Sequence, residues 1–223
     1  IPGHASMCGR YALTSSPAVI AERFHLLWTP AIEPRYNIAP GQTIPVVRET
    51  GQGRELAFMK WGLIPSWAKE AAIGMRLINA RSETLGEKPA FRRAYQHRRC
   101  LIPADAFYEW KAVAGHKQPY CIRMCDEGPF GMAGLWERWH APDGEVGESC
   151  TMVPVAANAL IAYLPDRMPV VVAPEAYGTW VRPKWGPRPP AVPAQAMRHY
   201  PVSRLVSNAR NDVPACLDPI DLA

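Results

Sequence analysis

The run Arg99-Cys-Leu-Ile-Pro-Ala-Asp-Ala-Phe-Tyr-Glu-Trp-Lys111 is apolar or aromatic apart from Asp105 and Glu109 between its basic ends. It reads as a pair of strands or as one bent strand. Further strands are predicted around it: Ile44 to Val47 and Leu56 to Trp61, joined as a hairpin around Gly51-Gln-Gly53, then Pro119 to Met124, Phe130 to Trp139 and Cys150 to Val155. A helix is predicted over Pro17 to Leu26, with Ser16 as cap, Pro17 at the first helical position, and Val19, Ile20, Phe24 and Leu27 recurring at helical spacing. Pro89 to Arg98, Ala156 to Leu164 and Pro174 to Val181 also read as helices. Leu77 to Glu83 alternates, with Asn79, Arg81 and Glu83 on one face; Pro201-Val-Ser-Arg204 opens a last extended stretch; 183–193 carries five prolines and reads as a loop. The chain's 24 prolines, about twice average usage, disfavour long helices and central strands. The fold class is therefore α+β: a single compact β-rich domain, mainly antiparallel sheet or a barrel-like core, with short peripheral helices.

A chain of 223 residues can bury roughly 70% of its unfolded surface. Its 48% hydrophobic and 20% charged residues exclude a disordered chain, a collagen and a coiled coil, and no run of about 18 apolar residues marks a membrane span. The six cysteines are irregularly spaced, and Cys121 and Cys125 have no partner pair for a zinc site, so reduced thiols in a cytoplasmic protein and no metal are expected. Residues 1–6 ahead of Met7 read as an expression scar, with neither a charged nor an apolar segment of a signal peptide. With Met7 removed, residues 7–223 would begin at Cys8, which then carries an α-amine and a thiol.

Net charge is +5. Between Arg76 and Arg99, seven basic residues (Arg76, Arg81, Lys88, Arg92, Arg93, Arg98, Arg99) against Glu83 and Glu87 carry that whole excess. Such a segment points to a polyanion, or is a solvated helix face. Glu109 shares a strand face with Phe107; burial there would raise its pKa and suit it to proton transfer, unless it lies on an edge strand facing water. Asn79 and Arg81 could orient a substrate and grip phosphate, or form a solvent-facing strand end. Trp61 and Trp67 bracket a Gly/Pro loop, where a ring could stack a nucleobase or fold back onto the core. Arg10 lies beside Cys8, where a positive neighbour would lower the thiol pKa.

Taken in order, Met7-Cys-Gly-Arg-Tyr11, Arg35-Tyr-Asn-Ile-Ala-Pro40, Trp61-Gly-Leu-Ile-Pro-Ser-Trp67, Ile78-Asn-Ala-Arg-Ser-Glu83, the run Arg99 to Trp110, Asp166-Arg-Met-Pro169 and Pro201-Val-Ser203 closely resemble the SOS-response-associated peptidase family of abasic-site processing proteins. The resemblance implies a protein that exposes its cysteine by self-processing and binds single-stranded DNA. It further implies capture of the ring-opened aldehyde of an abasic site as a thiazolidine crosslink. By position it implies Cys8 as nucleophile, Asn79 as a positioning group and Glu109 as proton shuttle. Arg10, Pro40, Trp67, Arg81, Arg167, Ser203 and Arg204 would line the DNA channel. The aldehyde is electrophilic by itself, so no cofactor is implied; the expected partner is single-stranded DNA with abasic sites, met by a monomer with no membrane and no obligate protein partner.

Three positions depart from the family pattern: Pro165 stands where a His is usual, Ala68 where a second aromatic often follows Trp67, and Pro154 where a Thr is common. Two rival readings are a cysteine-dependent peptidase without a DNA-crosslinking role and a non-covalent single-stranded DNA binding module.

Overall fold

The computed structural model describes residues 8–164, 166–182 and 191–222. The 1–6 segment, Met7, Pro165 and most of the proline-rich stretch 183–193 lie outside them. Along the chain run β1 (Tyr11–Leu13), α1 (Pro17–Phe24), β2 (Arg35–Ile38), β3 (Thr43–Thr50), β4 (Gly53–Trp61), α2 (Pro89–His97), β5 (Arg99–Ala104), β6 (Ala106–Val113), β7 (His116–Met124), β8 (Phe130–His140), β9 (Val146–Met152), β10 (Pro154–Ala156), β11 (Arg167–Pro169), β12 (Val171–Val172), α3 (Tyr177–Val181) and β13 (Met197–Pro201), with short 3-10 turns between some of them.

The fold is α+β with a closed barrel at its centre. Strands β8, β5, β3, β4 and β9 pair in that order and β9 returns to β8, which leaves no free edge in the ring. Every one of these pairings is antiparallel except β4 with β9. A second antiparallel sheet, ordered β13-β7-β6-β1-β2, lies beside it. The run 99–111 joins the two: β5 is a barrel strand, β6 belongs to the second sheet, and Asp105 sits at the bend. Its buried carboxylate accepts from Thr14 N–H (2.6 Å), Ser15 N–H (2.8 Å) and the Ser15 hydroxyl. Those donors offset the cost of burying a charge at the bend.

One face of the second sheet, through Tyr11, Ile38, Phe107 and Ile122, joins the main core with barrel residues such as Ile44, Leu101, Met132 and Cys150. The opposite face, through Ala12, Ala106, Tyr108 and Cys121, packs on Val202, Val206 and Cys216 of the C-terminal segment. Two opposed apolar faces at period two are why β6 is buried on both sides.

The β3–β4 hairpin forms as predicted, with Thr50 opposite Gly53. Ser16 caps α1 by accepting from Val19 N–H at 3.4 Å. The helix ends at Phe24, because His25 turns left-handed (φ 54°), so Ile20 and Phe24 are buried while Val19 and Leu27 face out. No helix spans Ala156 to Leu164. Pro154–Ala156 pairs with Arg167–Pro169, and Asn158 Oδ1 accepts from Leu160 N–H at 3.1 Å, a local turn bond that competes with the helix ladder. The strand expected over Leu77 to Glu83 is reduced to a parallel bridge between Asn79 and Met152, followed by a 3-10 turn at Ser82–Thr84. The final extended stretch ends at Pro201 and gives way to a 3-10 turn at Arg204–Ser207.

Candidate active site

Cys8, Asn79 and Glu109 come from three distant parts of the chain and meet in the interior. Tyr11 pairs with Phe107, and the Tyr108 N–H donates to the Arg10 carbonyl at 3.0 Å. That register carries the chain at Cys8 past the Glu109 carboxyl. Asn79 is held at the end of β9 by bonds on both sides of it: Ala80 N–H to Met152 O (2.8 Å) and Met152 N–H to Ile78 O (3.1 Å). From there its Nδ2 donates to the Cys8 carbonyl at 3.2 Å.

Cys8 and Glu109 are fully buried and Asn79 is 8% exposed. Burial pushes the Glu109 carboxyl well above the usual carboxylate range, against a smaller lowering by the Cys8 thiol. Burial likewise pushes the thiol up, and the neighbouring Glu109 adds to it. Both shifts favour the protonated forms. The expectation that Arg10 would lower the thiol pKa holds only for its backbone N–H, whose smaller effect burial outweighs. The Arg10 guanidinium turns toward Asn37 Oδ1 (3.0 Å) and Val206 O (2.8 Å), and desolvation decides the thiol. Apart from the thiol contact, both Glu109 oxygens and Asn79 Oδ1 are buried without a hydrogen-bond partner among the described residues. Native interiors satisfy nearly all such atoms, and three of them gather at this one group.

The other sequence candidates are scattered around this centre. Trp61 is fully buried, its edge against Tyr11 and its Nε1 donating to Ile78 O at 2.9 Å. Trp67 is 59% exposed and lines a recess of about 470 Å³ with Lys69, Ile73 and Arg76. Its loop is pinned where Gly62 (φ +135°) meets Gly74: a Cβ on Gly74 would lie 2.6 Å from the Gly62 carbonyl oxygen. Pro40 is half-buried at the turn into Gly41, whose N–H donates to Trp61 O at 2.7 Å. Arg81 is exposed and makes no ion pair among the described residues, but it does not share a strand face with Asn79, which is buried. Arg167 Nη2 is held by Glu83 (2.7 Å) and Pro154 O (3.1 Å). Ser203 Oγ accepts from Leu205 N–H at 3.2 Å, and Arg204 is exposed.

The basic segment is only partly surface. Arg99 is 3% exposed, with its guanidinium 4.5 Å from the Tyr95 ring centroid and 5.0 Å from that of Trp180. Arg98 pairs with Glu137 at 2.7 Å. Arg76, Lys88, Arg92 and Arg93 stay exposed.

A cleft of about 850 Å³ opens one residue from Cys8, lined by Gly9, Arg10, Trp110, His116, Lys117, Arg204 and Ser207 among others. Sequence reasoning gave no role to Trp110, His116, Lys117 or Ser207, nor to Asn37, the buried amide that grips Arg10. Alternation along β6 was the available signal, since it sends Trp110 to the face opposite Glu109. Among the described residues no group of three or more His, Cys, Asp or Glu could hold a metal ion, and no helix is long and apolar enough to cross a membrane. All six cysteines are free thiols.

The sequence signature of the family described as SOS response associated peptidase (SRAP) matches residues 7–209. The abasic site processing protein YoqW of Bacillus subtilis (strain 168) is 39% identical over 223 residues, spanning 95% of this chain and 99% of that one. The abasic site processing protein YedK of Escherichia coli (strain K12) is 31% identical over 231 residues, spanning 96% and 100%. Among solved structures, a Bacteroides thetaiotaomicron protein superposes with a TM-score of 0.83 at 24% identity, over 96% of this chain and all of that one. A Bordetella bronchiseptica protein superposes with a TM-score of 0.76 at 28% identity, over 88% and 100%.

Proposed function

The chain belongs to the SOS response associated peptidase family, and from that footing we propose that it captures abasic sites in single-stranded DNA as a covalent crosslink through Cys8, once the residues ahead of Cys8 are removed. The observation that carries this reading is the buried Cys8–Asn79–Glu109 group with its unpartnered polar atoms, from which the chain runs through Gly9 and Arg10 into the lining of an open cationic cleft. The names of the relatives, abasic site processing proteins, support the same substrate.

Removal of the preceding residues frees the Cys8 amine. An α-amine titrates near 7.7–8.0, so roughly a tenth or more is neutral at pH 7. The amine adds to the sugar aldehyde, and one amine proton passes to the carbonyl oxygen. Glu109, holding its proton, gives it to the resulting hydroxyl, which leaves as water and forms an iminium. The thiol sulfur then closes on the iminium carbon, and the thiol proton returns to the Glu109 carboxylate. One C–N and one C–S bond form, one water is lost, and Glu109 ends as it began. A thiol held protonated by burial is well served by a carboxylate generated beside it one step earlier. Asn79 fixes Cys8 through its carbonyl and offers Oδ1 to the amine or to a sugar hydroxyl.

Intact-mass measurement with an abasic single-stranded oligonucleotide tests the reading. The form beginning at Cys8 gains the mass of the oligonucleotide less one water, and the form retaining Ile1 gains nothing. A peptidase without DNA chemistry gives no adduct from either form, and a plain binding module gives a complex that denaturation dissolves.

A further inference from the structure

The cleft beside Gly9 is built from three separate parts of the chain. Gly9 and Arg10 come from the N-terminal segment, Trp110 and the tip residues His116 and Lys117 from the β6–β7 hairpin, and Arg204 and Ser207 from the C-terminal 3-10 turn. Its lining carries no carboxylate, and Arg10, Lys117 and Arg204 make no ion pair among the described residues. Like charges gathered around one concavity repel one another and focus a field that attracts an anion.

The walls are held in place before any ligand arrives. Trp110 Nε1 donates to Ser207 Oγ at 3.0 Å, and the Arg10 guanidinium lies 5.9 Å from the Trp110 ring centroid. Asn37, fully buried, accepts from Arg10 and donates from Nδ2 to the carbonyls of Val206 (3.0 Å), Asn208 (3.0 Å) and Asn211 (2.8 Å). One amide thus ties the Arg10 wall to the Arg204–Ser207 wall. The hairpin tip is equally defined. Ala114 (φ 45°) and Gly115 (φ 82°) form a two-residue turn with both φ positive, the geometry that sets hairpin register. Lys117 pairs with Ala112, two residues from Trp110, and so lies on the Trp110 face of the sheet.

We propose that the hairpin tip, through the Lys117 ammonium, is an outer clamp on the phosphodiester backbone of a strand that leaves the Cys8 site along this cleft. The inference rests on the DNA reading above and assigns one flank of the strand to this face. At about 3.3 Å per residue, β6 carries the tip about 13 Å beyond Glu109. A stacked strand rises about 3.4 Å per nucleotide, so the clamp engages a phosphate about four nucleotides from the reacting sugar.

The experiment is a salt titration of undamaged single-stranded DNA binding, by fluorescence anisotropy, for the wild-type chain and for Lys117→Ala. Lys117 is exposed beside the turn, and a thermal melt checks that the variant folds. If Lys117 contacts phosphate, the slope of log K against log salt flattens by about 0.7, the value for one lost cation–phosphate contact. Abasic oligonucleotides shortened to fewer than about four nucleotides on one flank, but not on the other, then lose affinity for wild-type protein and not for the variant. An unchanged slope, or equal sensitivity to both flanks, overturns the clamp. A wild-type slope that exceeds the variant's without any covalent adduct leaves the clamp standing and removes the crosslinking reading instead.

Discussion

Replacing Glu109 by glutamine keeps the side chain's shape and removes its proton chemistry, and the consequence for stability can be worked out in advance. Glu109 is fully buried, both oxygens lack a conventional partner, and burial lifts its pKa well above the ordinary value. In the unfolded chain the same group titrates near 4.3. Above that pH the native state holds a proton that the unfolded state has lost. Native protein then binds more protons than unfolded protein, so wild-type stability falls as pH rises toward the native pKa. Each pH unit in that window costs about 1.4 kcal/mol. Glutamine has no such window, so the difference between Glu109→Gln and wild type shifts in favour of the variant by ~1.4 kcal/mol per pH unit between about pH 5 and the native pKa of Glu109. Subtracting the two titrations cancels contributions from all other carboxylates that do not touch this site. Urea denaturation of the full chain in steps between pH 5 and pH 7 measures it. In the form beginning at Cys8 the same substitution slows crosslinking about 10²–10⁴-fold, read by quenched gel assays at saturating DNA. A stability difference that stays flat across that range means Glu109 is ionised in the native protein, and its role as proton donor to the departing hydroxyl is then wrong.

Asn37→Ala removes the amide that accepts from Arg10 and donates to three C-terminal carbonyls, while Arg10 keeps its own bond to the Val206 carbonyl. Leaving buried partners unsatisfied costs about 1–3 kcal/mol each, so urea denaturation should show a loss of at least ~2 kcal/mol; a loss below about 0.5 kcal/mol would show that water replaces the amide. Trp67→Ala, at an exposed ring, leaves the melting temperature nearly unchanged and weakens single-stranded DNA binding by about 1–3 kcal/mol; unchanged affinity by anisotropy removes Trp67 from the interface. Arg99→Ala does the reverse, because its guanidinium is packed on Tyr95 and Trp180. The fold loses about 1–3 kcal/mol while the salt slope of DNA binding stays at the wild-type value, and a flatter slope would return Arg99 to the DNA-contacting set.

Features set by near neighbours in sequence were legible from the residues alone. Gly51-Gln-Gly53 placed the β3–β4 turn, Ser16 and Pro17 placed the start of α1, and period-two alternation in Phe107-Tyr-Glu109 put the carboxyl on the face with Phe107. The ordered motif blocks carried the family, since their residue types and order survive without coordinates. Where a local preference met a competing partner it failed. Ala156 to Leu164 has helical composition, but β10 pairs with β11 and Asn158 turns its own backbone; Asn79 and Arg81 share a period, but only Asn79 is drawn in by Met152. Whether the run 99–111 was two strands or one bent strand depended on Asp105 finding donors at Thr14 and Ser15, far away in sequence. The raised pKa values of Cys8 and Glu109 depended on packing between distant segments as well. Sequence put a cation beside the thiol, whereas the packed sheets excluded water from it and turned Arg10 toward Asn37. Turn chemistry and periodicity act over a few residues and are written in the chain. Desolvation, and the cleft assembled from Arg10, Lys117 and Arg204, arise only when distant segments are brought together, and the barrel and its companion sheet do that.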